Sequence, residues 1–509
     1  MTSDSTETMK FELLKARAGA GARLGRLTFS GSRTVDTPNF FAITSRGAVP
    51  HVTPDNLLHN VPVQGIYVAL EDCKYPSSIL YIYATLLTRS IVVERSQRNP
   101  TGTPAIYKTP VSPSRPRPLH TFTATPPSTL TLLAARRLPA VPSPQGNSKS
   151  SISIFTSTGF QNLPTADYQT TVATLRPDMA IPPADLTNTS TTPNSKRAER
   201  MAERTEDWLA QWFSSPSATT SSTDPSTAIF APTLPIPYAM QWEYLTRMND
   251  DFASAISGLA VYSADVIPDL TNHPALAPKP RLSLDTPATP HHILRQLSLG
   301  ADIFLLPFLN SASDAGVALT FSFPAPAPSP DSVGSNGTSL QPLGKDISHD
   351  HFAFQVAAPL REGCTCYTCT HHHAAYVHHL LGAREMLGWT LLQIHNHAAA
   401  ADFFAGVRDA LRTGTFAAES ARFQLCYEAE VPAGTGERPR ARGYHFKSEG
   451  GDGKRNKKAW GRLGEEGDGL EVAEVEKERL ERDLTETPVG ADGDGKELDR
   501  RGFAEIDDN

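Results

Sequence analysis

The sequence is short of cysteine, of long apolar runs and of any dominant charge sign. Five cysteines in 509 residues cannot staple a fold of this size, and three of them, Cys364, Cys366 and Cys369, fall within six positions. That distribution argues against a disulfide framework and for a reducing compartment and a metal site. The segment MTSDSTETMKFELLKARAGAGARL at the start carries no apolar block of signal-peptide type. The most apolar stretch, SILYIYATLL around Ser78 to Leu87, is shorter than the roughly 20 residues that a bilayer span requires. The expectation is a cytoplasmic chain with no integral membrane segment. A net charge of −7 excludes a global polycation, so any nucleic-acid contact has to come from a local basic patch. The apolar fraction is also modest, at 39%, while Pro (42) and Gly (34) are plentiful. Part of this chain is therefore expected to lie outside any packed core.

The length suits one large domain with additions, or two domains. From Met9 to about Val93 short apolar runs (FELL, RLTF, FFAI, GIYVAL) alternate with turns, as strands do. Residues 97–144 are rich in Pro, Ser and Thr and read as a disordered surface insertion. A second insertion is expected over 187–226, with polar tracts flanking a helix that includes AERMAERTEDWLAQWF, and a third over 324–343. SISIFTSTGF, AIFAPTLP, GLAVYSADVIP, RLSLD, ADIFLLPF and ALTFSF supply further strands. MQWEYLTRMNDDFASAIS and PHHILRQLSLG supply helices between some of them. Strands alternating with helices imply parallel β/α units, closed as a (β/α)8 TIM-like barrel or open as a doubly wound sheet. Residues 434–509 hold 15 Lys/Arg and 20 Asp/Glu with few large apolar residues, and are expected to be a disordered charged tail.

The sharpest chemical signal is Cys364-Thr-Cys366-Tyr-Thr-Cys369 with His395 following 26 residues later. Three thiolates on one loop and an imidazole returned by a helix make a tetrahedral donor set for Zn2+. Four protein ligands leave no open position, so one structural zinc per chain is expected, within a subdomain over 360–430. The competing readings are a chance cluster or redox thiols. The fourth ligand has a competitor in His397, while His371, His372 and His373 lie too close to the cysteine loop, and His378 and His379 fall on the intervening helix.

CxCxxC with a later histidine in Ile394-His395-Asn396 resembles the zinc site of the tRNA-guanine transglycosylases. AYVHHLLGAREMLGWTLLQIHN, FFAGVRDAL, Thr37-Pro-Asn-Phe-Phe-Ala-Ile-Thr-Ser-Arg-Gly47 and Val52-Thr-Pro-Asp-Asn-Leu57 are similar to other parts of that family. The resemblance covers about residues 9–430 and implies a (β/α)8 barrel with a zinc subdomain. It also implies exchange of a guanine in the tRNA anticodon for a modified base. That chemistry needs an aspartate nucleophile and a second aspartate as general acid/base.

Neither carboxylate is where the resemblance places it. The family's Gly-Val-Asp-Met-Phe-Asp, whose last residue attacks the ribose, aligns with Gly300-Ala-Asp302-Ile-Phe-Leu305. Its Asp-Ser-Gly-Gly-Phe-Gln aligns with Thr156-Ser-Thr-Gly159-Phe-Gln161, and its glycine-rich base-binding strand end with Gly258-Leu-Ala-Val-Tyr262-Ser263. Leu305 and Thr156 can neither attack nor take a proton, Tyr262 crowds the pocket, and Asp302 is expected to keep a structural role. A kept scaffold with lost carboxylates resembles the family's non-catalytic eukaryotic subunit. That resemblance implies a heterodimer with a catalytic subunit of queuine tRNA-ribosyltransferase and contact with tRNA, supporting guanine-to-queuine exchange at wobble position 34. Peripheral association with the mitochondrial outer membrane is implied by the family alone. Arg361, Arg384, Arg408 and Arg412 are candidate phosphate contacts. No catalytic residue is assigned. The alternatives are an active transglycosylase using an unaligned carboxylate, and a zinc-stabilised scaffold with no tRNA role.

Overall fold

A computed structural model describes residues 9–15, 21–29, 33–73, 105–110, 117–143, 146–156, 159–187, 192–214, 227–326 and 340–439. Eight parallel strands close a barrel: β4 (Asn39–Ile43), β5 (Gly65–Ala69), β6 (Leu130–Ala134), β9 (Met179–Ala180), β10 (Ala228–Thr233), β11 (Gly258–Val261), β12 (Arg281–Ser283) and β13 (Ile303–Leu305). β13 returns to pair with β4, Phe304 opposite Phe40, so no strand edge is left open. The strands read as near-continuous apolar runs because both of their faces are covered. Within the barrel, Phe41, Tyr67, Leu132, Met179, Phe230, Ala260, Leu282, Ile303 and Leu305 interlock into a filled core. Outside it, Phe40, Leu245, Leu294 and Phe404 belong to a second cluster shared with the helices.

The open question of barrel or doubly wound sheet is thus resolved as a closed barrel. A three-stranded antiparallel sheet, β1 (Met9–Lys15), β2 (Leu24–Phe29) and β3 (Arg33–Thr37), braces the N-terminal ends of the barrel strands. Arg33 pairs with Asp178 at 2.6 Å, and Arg23 grips Asp302 through Nε (2.9 Å) and Nη2 (2.5 Å). Each of these aspartates immediately precedes a barrel strand.

The boundaries of the expected insertions need correcting. Residues 97–144 are not wholly an insertion, because β6, a fully buried barrel strand, lies inside them, preceded by the helix Pro118–Thr123. Two of the prolines that gave this region its disordered composition have ordered places: Pro118 starts the helix, where a missing N–H costs nothing, and Pro126 sits in the turn before β6. Within 187–226 the expected helix forms as Ser195–Ser214, burying Met201, Trp208, Leu209 and Trp212. The start of the supposed tail is also tied down, since Asp346 accepts from Thr435 N at 2.7 Å and Thr435 Oγ1 at 2.6 Å. The remainder of the tail, most of 97–116 and residues 327–339 lie outside the described residues. ALTFSF contributes β14 (Val317–Leu319), which pairs with β15 (Gly344–Asp346) outside the barrel.

Candidate functional site

Two places carry the chemistry that the sequence points to: the cysteine-histidine cluster and the mouth of the barrel, where the strands' C-terminal ends open. At the first, Cys366 caps the helix Tyr367–His371, its sulfur accepting the amide of Cys369 at 3.4 Å. Cys364 precedes the cap and Cys369 stands on the helix's first turn, so one tight segment presents three sulfurs. Thr368, on the same turn, is buried and donates to Leu391 O at 2.7 Å, which docks this segment on the long helix Met386–Thr413. His395 projects from that helix.

The four donor atoms lie within 4.8 Å of one another. His395 Nδ1 is 3.8, 3.5 and 3.3 Å from the sulfurs of Cys364, Cys366 and Cys369. A tetrahedron with ordinary zinc–sulfur and zinc–nitrogen bond lengths has a sulfur-to-nitrogen edge of about 3.5 Å, so the residues fit that ion. The imidazole is also preset. Its Nε2 lies 2.9 Å from Leu319 O, and donating there leaves Nδ1 with its lone pair toward the sulfurs. Burial pulls the His395 pKa down, but hydrogen bonding to Cys364 and Cys369 outweighs it and brings it up to about 9, so a metal ion taking the Nδ1 lone pair has to displace the proton held there. Hydrogen bonds from Cys366 and Cys369 hold the Cys364 thiol far below its ordinary value.

The competing ligand is placed elsewhere. His397 points away from the sulfurs, with Nδ1 2.9 Å from Gln393 O on its own helix and its ring 6.2 Å from that of Phe40. The residue between the two histidines, not singled out from sequence, turns out to be an anchor. Asn396 accepts from Leu319 N at 2.8 Å and donates to Val317 O and Ser313 Oγ, so neighbouring side chains clamp the helix to β14.

At the barrel mouth, Leu305 is fully buried at the C-terminal end of β13, inside the apolar fill. Asp302 is at the other end of that strand, held by Arg23 and by the Arg281 amide (2.7 Å), which bears out its structural role. Thr156 corrects the alignment. It closes β7 (Ser151–Thr156), which pairs antiparallel with β8 (Gly159–Pro164), so the Thr156–Gln161 stretch is a hairpin and not a barrel strand end. Gly159, the first residue of β8, has φ +106°, a conformation that glycine adopts without strain. The third barrel strand instead ends in Ala134-Ala135-Arg136-Arg137, again without a carboxylate.

A cavity of about 370 Å³ opens at this mouth, and Tyr262 stands in its wall with Tyr67, Arg136, Arg137, Leu284 and Thr286. No Asp or Glu is among its described lining residues. The nearby carboxylates have other work. Glu71 accepts from Arg137 N, Arg137 Nε and Phe155 N; Asp185 accepts from Asn147, Arg197 and Arg204; Asp285 accepts from Ala264 N. Burial lifts the Glu71 pKa, and Arg137 opposes the lift.

The candidate phosphate contacts divide into two pairs. Arg361 is turned inward to Phe321 O and Asp402, and Arg408 to Pro38 O at 2.8 Å. Arg384 and Arg412 are exposed, beside Glu437 and Asp409. Among the described residues no helix is long and apolar enough to cross a membrane.

A closed β/α barrel carrying a Cys3His cluster on a helical lobe defines a class, and comparison with known proteins agrees with it. The queuine tRNA-ribosyltransferase family profile matches residues 103–429, and the chain belongs to that family, the tRNA-guanine transglycosylases. It is 34% identical over 450 residues to a Schizosaccharomyces pombe protein named queuine tRNA-ribosyltransferase accessory subunit 2, covering 87% of this chain and 89% of that one. The protein of that name from Anopheles gambiae is 25% identical over 419 residues (79% and 86% covered). A queuine tRNA-ribosyltransferase from Oleidesulfovibrio alaskensis is 32% identical over 194 residues, 37% of this chain and 45% of that protein.

Proposed function

We propose that this chain is the non-catalytic subunit of a heterodimeric queuine tRNA-ribosyltransferase, with Cys364, Cys366, Cys369 and His395 holding one structural Zn2+. It works in the cytoplasm beside a catalytic subunit and contacts the tRNA whose wobble guanine is exchanged for queuine. One observation carries the reading: Leu305 occupies the strand end where the family's nucleophile would stand, at a barrel mouth whose described lining residues include no carboxylate. Forming a bond to ribose C1′ needs a lone pair at that point, and releasing guanine needs a proton donor beside it. The S. pombe and A. gambiae relatives are themselves named as accessory subunits. Such a name supports the presence of a catalytic partner.

The deciding experiment measures incorporation of labelled guanine into tRNA. The purified chain alone should give no turnover above buffer. Mixed with a catalytic queuine tRNA-ribosyltransferase, it should form a one-to-one complex and raise turnover at least tenfold. Turnover by the chain alone would return it to the active transglycosylases, and failure to bind any catalytic partner would leave it a scaffold.

A further inference from the structure

The mouth, with no carboxylate among its described lining residues, retains an arginine that no described carboxylate touches. Around it stand Arg136, Arg137, Arg197 and Arg204, with Glu71, Asp72 and Asp185 as their counter-charges. Arg137 pairs with Glu71 and Asp72, and Arg197 and Arg204 share Asp185. Arg136 is left without a carboxylate among the described residues. It is held in place by Ser153 O (3.1 Å to Nε) and Asn147 Oδ1 (2.7 Å to Nη2), while its Nη1 is buried with no acceptor.

The second group is Tyr262, whose hydroxyl makes no hydrogen bond to any described residue although the side chain lines the same cavity. Burial pushes its pKa up to about 12 against the pull of Arg136, so at neutral pH it is a proton donor next to a positive charge. The hydroxyl-bearing Thr187 and Thr286 line the cavity too, and Ile181 and Leu284 give it apolar walls. Its volume of about 370 Å³ falls within the roughly 300–1,000 Å³ of small-molecule sites.

A fixed guanidinium with no carboxylate in contact among the described residues, beside a phenol with no hydrogen-bond partner among them and flanked by apolar walls, is complementary to an anion with an apolar body. We propose that the barrel mouth binds a small organic oxyanion, with Arg136 taking the charge, Tyr262 donating its hydroxyl to an anionic oxygen, and the Ile181 and Leu284 walls covering the body. No bond is made or broken. The tyrosine that closes the mouth to guanine chemistry thereby becomes a ligand contact.

Calorimetric titration of the full chain tests this with four probes: phenyl phosphate, benzoate, inorganic phosphate and benzyl alcohol. At least one aromatic anion should bind saturably at one site per chain, and which of the two does so identifies the oxyanion. Inorganic phosphate and benzyl alcohol, each lacking half of the recognition, should bind at least tenfold more weakly. Tyr262→Phe, which removes one oxygen, should weaken the aromatic anion by roughly tenfold without moving the melting temperature, and Arg136→Gln should abolish binding. Should Arg136→Gln fail to fold, Tyr262→Phe still decides. Absence of saturable binding by both aromatic anions, or equal affinity in Tyr262→Phe, would overturn the proposal. Binding is read on the isolated chain, so its failure leaves the subunit reading untouched.

Discussion

Leu305 stands where the family resemblance places an aspartate nucleophile. It is enclosed by the apolar interior of the barrel and is not among the residues that line the cavity with Arg136 and Tyr262, while Arg23 is spent on Asp302 at the opposite end of the strand. Restoring the family's aspartate here would therefore bury a carboxylate with no partner. We predict that Leu305→Asp lowers the unfolding free energy by roughly 3–5 kcal/mol, the scale of an uncompensated buried charge. Guanine exchange by the isolated chain should stay at zero, because the described lining of the mouth offers no second carboxylate to act on the leaving base. Urea denaturation and the exchange assay check the two halves, and a stable variant that turns over would show that only the nucleophile had been missing.

The loss at 305 was legible in sequence because its motif is contiguous and sits on one strand. The loss at Thr156 was misplaced. A Gly-Phe-Gln string serves a hairpin turn as well as a strand end, since both need glycine's backbone freedom. Arg136 was missed for a related reason, lying in a region whose composition read as insertion.

At the scale of elements, the cysteine loop and the long helix depend on each other. The helix Tyr367–His371 is barely more than one turn, too short to persist in water without tertiary contacts. Its fixed points are the Thr368 bond to Leu391 O and the shared donor cluster with His395. The C-terminal half of the long helix has other supports, with the Phe404 ring 5.5 Å from those of Phe40 and Phe304. Removing the proposed zinc should therefore act unevenly. In Cys366→Ser, or after chelation, we predict loss of about one equivalent of zinc. Amide-exchange protection should collapse over Tyr367–His371 and Ala374–Gly382 and persist over Phe403–Leu411 and the barrel strands. Uniform protection without metal would mean that packing alone holds the lobe.

The same elements show what sequence could and could not reveal. The lobe was readable because the three cysteines and their helix are local in the chain. β4, β5 and β10 to β13 were readable as apolar runs. β9 is only two residues long, and β6 is set among prolines, so a window that averages composition erases both. What the windows could not see was closure, the pairing of β13 with β4 across more than half the chain.

Over the whole molecule, the barrel's lower rim is braced by charges brought together from far apart in the sequence. Arg33 from the N-terminal sheet and Arg117 from the start of the helix Pro118–Thr123 both meet Asp178, at 2.6 and 2.7 Å, and His120 lies 3.5 Å from the same carboxylate. Asp178 also accepts from Thr131 N on β6, so one side chain joins two barrel strands to two elements outside them. Burial opposes its ionisation, but Arg33 and Arg117 prevail, and its pKa falls below the ordinary carboxylate value. Its contribution is present above about pH 3.9 and is lost only as the pH falls further, through its folded value.

His120 behaves in the opposite sense. Its Nε2 lies 3.0 Å from Thr129 O and its buried Nδ1 has no partner among the described residues. Burial holds its pKa below the ordinary value, with Asp178 opposing only in part. Below about pH 6.5 the unfolded chain takes up a proton that the folded chain refuses, so stability falls with pH until the folded pKa is reached. One proton gives a slope of at most about 1.4 kcal/mol per pH unit. Because Asp178 stays ionised throughout that window, His120→Gln should flatten the stability profile between about pH 5 and 6.5 relative to the parent. Other histidines titrate in both proteins and cancel in the difference. Chemical denaturation at half-unit pH intervals reads this directly, and parallel profiles for the two proteins would mean that the imidazole takes up its proton without disturbing the brace.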